Sequence, residues 1–126
     1  MKKVALFVFN GDPVCFIHLL LNGLDMKARG IEGRIIVEGA ATALLPKMAE
    51  PQHPLHKLWA EAKSQAIVDG VCKGCARKMG TADEALRQGL ALLDDMSGHP
   101  SMSVSYTHLT LPTRSCQCRS RGSPSQ

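Results

Sequence analysis

The chain has 126 residues, of which 44% are hydrophobic and 21% charged, with 11 glycines and 7 prolines. This is the size and composition of one soluble globular domain, and it excludes a collagen-like or wholly disordered chain. The apolar run at residues 4–9 is far shorter than the roughly 20 residues of a membrane-spanning helix. Polar residues also follow it too early for a secretory leader. We therefore expect a cytoplasmic protein with no membrane association.

The formal net charge of +4 is unevenly distributed along the chain. Three arginines, Arg114, Arg119 and Arg121, follow residue 103, where no acidic residue occurs; without them, 12 basic residues face 11 acidic ones. The remaining body has no basic stripe interleaved with aromatic residues, which a nucleic-acid-binding surface would need. We therefore expect no nucleic-acid partner.

Residues 104–126 depart from the pattern of the rest of the chain. Ser, Arg, Gly and Pro dominate their second half, a composition that favours disorder. Residues 104–113 also resemble a translated sequencing adapter, which places the loss of the natural C-terminus near Ser103. We therefore predict one α/β domain over residues 1–103 and a non-native or disordered tail over residues 104–126.

The first half of the body alternates strand and helix signals. Residues 2–9 predict the first strand, and their continuous apolar run at residues 4–9 is typical of a strand buried on both faces of a parallel sheet. Asp12 and Pro13 then predict the N-cap and first turn of a helix that ends at Gly30. Its predicted buried face consists of Ile17, Leu20, Leu21, Leu24 and Ala28.

The alternation continues to about residue 93. Residues 33–38 predict a second strand, 39–48 a short helix, 55–66 a longer helix, and 66–72 a third strand. Residues 75–79 predict a helical turn, and Thr81 with Glu84 a capping box. Residues 90–93 predict a fourth strand, followed by a loop or helical turn from Asp94. This order predicts a three-layer α/β sandwich with a mostly parallel sheet of about four strands.

Chemistry in such folds is concentrated at the carboxyl ends of the strands. Four segments converge there: residues 10–15, 39–42, 72–75 and 94–99. In the third segment, Cys72 ends a strand and the next helix directs its amino end at the thiol. Unpaired backbone N–H groups at that end favour the thiolate, which is the nucleophile of sulfur chemistry. A buried and inert cysteine is the competing interpretation.

Cys72-Lys73-Gly74-Cys75 permits three mechanisms. A dithiol–disulfide cycle needs two thiols within reach, which the C-x-x-C spacing provides. A zinc site needs about four ligands, so Cys15, His18 and His99 would have to complete the set. In the third mechanism, one cysteine accepts a sulfane sulfur as a persulfide and passes it to a partner thiol. We expect no metal or other cofactor.

Four stretches of the sequence resemble the DsrE-like family of small cytoplasmic α/β proteins. They are residues 2–11, 38–41, 69–75 (Asp-Gly-Val-Cys-Lys-Gly-Cys) and 94–100 (Asp-Asp-Met-Ser-Gly-His-Pro). Some members of this family act in sulfur relay and intracellular sulfur oxidation. Their acceptor cysteine follows the third strand with a glycine eight positions later, a spacing that Cys72 and Gly80 match.

The resemblance implies that Cys72 carries the persulfide and that Cys75 is an accessory or resolving thiol. It also implies a homo-oligomer, a protein that donates or accepts sulfur, and a last strand beyond Ser103 that this chain lacks. The competing hypothesis is a non-catalytic α/β module that binds a small anion or assembles with itself. Further candidates for ligand binding lie at the same carboxyl edge of the sheet, which we call the rim. They are Asn10, Gly11, Gly39, Ala40, Thr42 and His99.

Two of these groups have a specific predicted role. The residues 39–42 present helix-start N–H groups that suit an anion, although a tight turn explains them equally well. His99 with Asp94 and Asp95 forms a potential acid/base group beside Cys72, with a solvated polar loop as the alternative.

Overall fold

The computed structural model describes residues 3–94, 98–99 and 113–116, the last four by their backbone. Its centre is a parallel sheet of five strands in the order β4-β3-β2-β1-β5. The strands are β1 Lys3–Val8, β2 Glu32–Val37, β3 Val68–Cys72, β4 Leu92–Leu93 and β5 Thr113–Cys116. The predicted α/β fold with about four parallel strands is therefore confirmed. β5 is an additional strand within residues 104–126, which were predicted to be a non-native or disordered tail, and it pairs with β1.

Helical segments connect the first four strands. They are α1 Pro13–Ala28, a 3-10 helix Gly39–Leu44, α2 Leu45–Met48, α3 His56–Ser64, α4 Lys73–Lys78 and α5 Ala82–Arg87. Because β1 to β4 are adjacent in chain order, right-handed crossovers place their connecting helices on the same face of the sheet. In the part of the chain that is described, no helix is both long and apolar enough to cross a membrane.

The two faces of the sheet are buried in different ways. One face, including Val4, Leu6 and Ile35, packs against all of the helical segments in one large apolar core. The opposite face carries Ala5, Phe7 and Ile36, which are fully buried in a smaller cluster. Within the described residues, no helix contributes to that second cluster, so they show the sheet and one helical layer but not the predicted third layer.

The predicted buried face of α1 is partly wrong. Leu20 is fully buried, but Leu21 is 47% exposed and Ala28 is also exposed. The buried residues are instead Cys15, Phe16, Leu19, Leu20 and Gly23. Since α1 is apolar around most of its circumference, the spacing of its apolar residues is compatible with more than one buried face. Gly23 selects the observed one, because a Cβ there would lie 3.1 Å from Ile35 Cδ1 and hold the helix away from the sheet.

The ends of the elements follow the predicted signals except at α5. Asp12 caps α1 as predicted, with its Oδ1 accepting from the Val14 N–H at 2.9 Å. The capping box at Thr81 is wrong, because its hydroxyl donates to the Ala76 carbonyl and makes no cap hydrogen bond to α5. Thr81 is buried, so its hydroxyl needs a hydrogen-bond partner within the protein, and a carbonyl of the preceding helix provides it.

The contact between α1 and α3 supports the large core. Phe16 meets Trp59 edge to face, with ring centroids 5.8 Å apart, and both rings are buried. The Trp59 indole N–H donates to Gln88 Oε1 at 2.8 Å, so its buried polar atom is paired. The contact between the Phe16 and Trp59 rings thus holds α1 and α3 together on one face of the sheet.

Removing the Phe16 ring should destabilise the fold strongly. Phe16→Ala leaves a cavity against Trp59, and we expect the free energy of unfolding to fall by about 3–5 kcal/mol. Chemical denaturation measures the change. Val14→Ala on the same helix is the control, since Val14 is 59% exposed, and its loss should be a small fraction of that value. Equal losses for the two variants would contradict the assigned packing.

Candidate functional site

The turn from β3 into α4 places two cysteines at the carboxyl edge of the sheet. β3 ends at Cys72, which is also the N-cap residue of α4. The backbone N–H of Cys75 donates to Cys72 Sγ at 3.4 Å, so the thiol occupies the position of a capping side chain. Both cysteines are free thiols. The predicted placement of Cys72 at a strand end, facing a helix start, is confirmed.

A histidine from a distant part of the chain completes the cluster. His99 Nδ1 lies 2.9 Å from Cys72 Sγ and 3.7 Å from Cys75 Sγ. The ligand atoms of Cys72, Cys75 and His99 all lie within 4.8 Å of one another. Since one imidazole nitrogen faces both sulfur atoms, it can exchange a proton with either thiol or share a metal ion with both.

Gly74 makes this close approach sterically feasible. Its N–H donates to the Gly98 carbonyl oxygen, and a Cβ at position 74 would lie 2.9 Å from that oxygen. The same Cβ would lie 3.1 Å from Cε1 and 3.3 Å from Nε2 of His99. A side chain at position 74 would therefore displace the histidine, whose Nε2 side lies against the helix and whose Nδ1 faces the sulfurs.

Burial changes the predicted ionisation of Cys72. Its side chain is completely buried, and this burial raises the pKa of the thiol to about 12, with a further increase from the hydrogen bond to Cys75. The backbone hydrogen bond from Cys75 lowers this pKa but does not offset the desolvation. The prediction of a stabilised thiolate is therefore wrong for the free protein. A six-residue α4 contributes one N–H group, and desolvation exceeds its effect.

Glu38 is a rim residue that the sequence reasoning missed. It follows β2, is 9% exposed, and its burial raises the pKa of the carboxyl group to about 7. Its charge is close enough to raise the pKa of Cys72 further. The sequence feature that could have identified Glu38 is its position: a carboxylate that directly follows an apolar strand and directly precedes residues 39–42, which were chosen as rim candidates.

The other rim candidates are in structural contacts. The Asn10 side-chain oxygen accepts from the Asp12 N–H at 2.7 Å, while Gly11 packs closely on Ala40. Gly39 has φ +55° and lies tightly against the Phe9 carbonyl, which explains the glycine at this turn.

Thr42 contacts the cysteine segment through its side chain. Its buried hydroxyl lies 2.8 Å from the Gly39 carbonyl oxygen and 3.4 Å from that of Cys75. It therefore ties the 3-10 helix to α4. Its binding of an anion remains a prediction.

The remaining predicted partners of the cysteines lie elsewhere. Asp94 is exposed and pairs with Lys73 at 3.3 Å, and Asp95 lies outside the described residues. Cys15 is disulfide-bonded, so it is not available as the additional zinc ligand weighed in the sequence analysis. His18 is exposed on α1. Of the residues weighed as additional ligands, the structure brings His99 to the cysteines.

Fold and site together define a small parallel α/β protein with a Cys-x-x-Cys–His cluster at the carboxyl edge of its sheet. No protein-family model and no solved structure matches the chain. The chain is 31% identical over 107 residues to the uncharacterized protein MJ0733 of Methanocaldococcus jannaschii, covering 79% of this chain and 84% of that protein. It therefore belongs to the family of that archaeal protein.

A second relative matches a shorter stretch. It is an uncharacterized protein of Archaeoglobus fulgidus, 43% identical over 49 residues, which span 39% of this chain and 80% of that protein.

The two thiols should differ sharply in their reaction with an alkylating agent. Cys75 is half-buried and Cys72 fully buried, so iodoacetamide at pH 8 should modify Cys75 first and Cys72 only after unfolding. Trypsin cleaves after Lys73 and separates the two cysteines, so mass spectrometry reads each one individually. A Cys72 that reacts in the native protein as fast as in denaturant would contradict its burial.

The raised pKa of Glu38 should make stability depend on pH. The carboxylate is disfavoured in the folded state, so the cost is absent below about pH 4.5, grows as the pH rises, and is complete above about pH 7. Glu38→Gln removes it, and we expect a relative gain of up to about 3 kcal/mol at pH 8 compared with pH 4.5.

Urea denaturation of both proteins at these two pH values measures the difference. The exposed Glu61→Gln is the matched control and should show no such gain. A Glu38→Gln variant with the pH dependence of the unaltered protein would be incompatible with a desolvated carboxylate at position 38.

Proposed function

We propose that this protein is a sulfur carrier that holds a sulfane sulfur on the Cys72–Cys75 pair. The observation that supports this most directly is the single imidazole nitrogen within 3.7 Å of both free thiols. A persulfide carrier needs a cysteine that can be deprotonated on demand and a second thiol close enough to receive or release the sulfur. The resemblance of the sequence to the DsrE-like family also supports the proposal.

The loading step exchanges one S–S bond for another. The sulfur of a cysteine thiolate attacks the terminal sulfur of a donor persulfide, R–S–SH. A new S–S bond forms on the protein, the S–S bond of the donor breaks, and the donor leaves as a thiolate. His99 Nδ1 accepts the proton of the attacking thiol and returns it to the leaving donor, so no oxidant or reductant is consumed.

Burial favours Cys75 as the point of entry. Its sulfur is in the half-buried residue of the pair, whereas Cys72 has no exposed surface. The Cys72 thiolate then attacks the outer sulfur of the Cys75 persulfide, whose S–S bond breaks as Cys75 becomes the leaving thiolate. Cys72 thus remains the residue that holds the sulfur, as the resemblance to the DsrE-like family implies, and Cys75 serves as the accessory thiol.

This chemistry defines the partners of the protein. A donor and an acceptor must each present a thiol or persulfide at the rim, and Cys72 and Cys75 must both be in the reduced state to take part. The resemblance to the DsrE-like family implies a homo-oligomer, and Val14 and Leu21, seven residues apart on α1 and 59% and 47% exposed, offer it an apolar contact surface. We include a homo-oligomer in the proposal on that basis.

Persulfide trapping tests the proposal on the full chain. After incubation with isotopically labelled inorganic polysulfide and alkylation, the unaltered protein should carry one labelled sulfur on its Cys72–Cys75 pair. Cys75→Ser should load at least about tenfold more slowly, because it removes the entry thiol. Cys72→Ser should load at Cys75 but lose the sulfur faster to an added small thiol.

His18→Ala, which alters an exposed histidine outside the cluster, should load normally. An unaltered protein that takes up no labelled sulfur at either cysteine would end the carrier proposal and leave the non-catalytic α/β module.

A further inference from the structure

We propose that Cys72, Cys75 and His99 form a binding site for one Zn²⁺ ion. The sequence predicted no metal, and the inference comes from the geometry that unites the three side chains. It does not depend on sulfur transfer, because its test measures metal binding alone.

The distances between the sulfur and nitrogen atoms of the cluster are close to those between the ligand atoms of a zinc site. Zn–S bonds of about 2.3 Å and Zn–N bonds of about 2.0–2.1 Å with tetrahedral angles place neighbouring ligand atoms about 3.4–3.8 Å apart. Cys75 Sγ and His99 Nδ1 already lie 3.7 Å apart, and Cys72 Sγ lies 2.9 Å from the same nitrogen. Since all three atoms already lie within 4.8 Å of one another, side-chain shifts of about 1 Å would bring them around one ion.

The ligand chemistry selects a borderline or soft cation. Two thiolate sulfurs and one imidazole nitrogen suit Zn²⁺, whereas Mg²⁺ and Ca²⁺ require oxygen ligands. The charges of two thiolates and Zn²⁺ cancel, so the occupied cluster carries no net charge in its buried position. The Cys75 N–H that already donates to Cys72 Sγ would stabilise the coordinated sulfur.

The surrounding backbone holds the ligands in position. Cys72 and Cys75 are fixed by the β3–α4 turn, and His99 is held by the approach of residues 98–99 to Gly74. Within the described residues, the cluster offers three ligands. Zn²⁺ takes four, so the fourth position is open to water or to an external thiolate, an arrangement typical of reactive rather than purely structural zinc sites.

Cobalt and zinc titrations of the full chain test this site. After treatment with a chelator, Co²⁺ should produce sulfur-to-cobalt charge-transfer absorption and intense visible bands that saturate at one equivalent. Zn²⁺ should abolish them. Competition with a chromophoric chelator should show that Cys75→Ala and His99→Ala each weaken Zn²⁺ binding by at least about tenfold.

Cys75 and His99 are chosen because they are less buried than Cys72, and circular dichroism verifies that each variant is folded. His18→Ala, which alters an exposed histidine on α1, should bind Zn²⁺ as tightly as the unaltered protein. The proposal is overturned if Co²⁺ gives no charge-transfer band, if both ligand variants retain full affinity, or if His18→Ala weakens binding equally.

Discussion

The candidate site depends on the packing of residues 98–99 against the first turn of α4. The Gly74 N–H donates to the Gly98 carbonyl oxygen, and the absence of a Cβ at position 74 leaves room for the imidazole. This contact joins parts of the chain that are more than twenty residues apart. Without it, Cys72 and Cys75 would be two thiols at a helix start, with no imidazole beside them to exchange a proton or to serve as a third ligand.

The second constraint is the desolvation of acidic groups at the same edge of the sheet. Cys72 and Glu38 are both buried, and burial raises the pKa of each. At neutral pH the thiol is therefore protonated, and the nearby carboxylate adds to the cost of ionising it. A bound cation would reverse this balance, since it stabilises the thiolate directly. In its absence, the proposed sulfur chemistry needs a base beside Cys72, and His99 Nδ1 lies 2.9 Å from that sulfur.

Local patterns predicted most of the fold. Continuous apolar runs marked β1 and β2, and Asp12-Pro13 located the start of α1, because these signals depend on neighbouring residues alone. The buried face of α1 was assigned incorrectly, since the decisive contact of Gly23 with Ile35 is a tertiary one. The capping box predicted at Thr81 was wrong for a similar reason, because the Thr81 hydroxyl donates to the Ala76 carbonyl of the preceding helix.

The site was predictable in part for the same physical reason. The topology of a parallel sheet brings strand ends together, so Cys72, Cys75 and His99 could be assigned to one edge from sequence. Distance and burial could not be assigned, because they depend on how residues 98–99 pack. The ionisation of Cys72 was therefore predicted incorrectly. The helix start could be recognised from the sequence, but the burial that desolvates the thiol depends on tertiary packing.

Sulfur carriage and zinc binding make opposing demands on the same atoms. A persulfide forms when a cysteine sulfur attacks with an electron pair, and a sulfur bound to Zn²⁺ is a weaker nucleophile because it shares electron density with the metal. Both states need the Cys72 proton removed, so each relieves the same unfavourable ionisation in a different way. The two states therefore compete for the cysteine pair, and zinc occupancy would slow the uptake of sulfur.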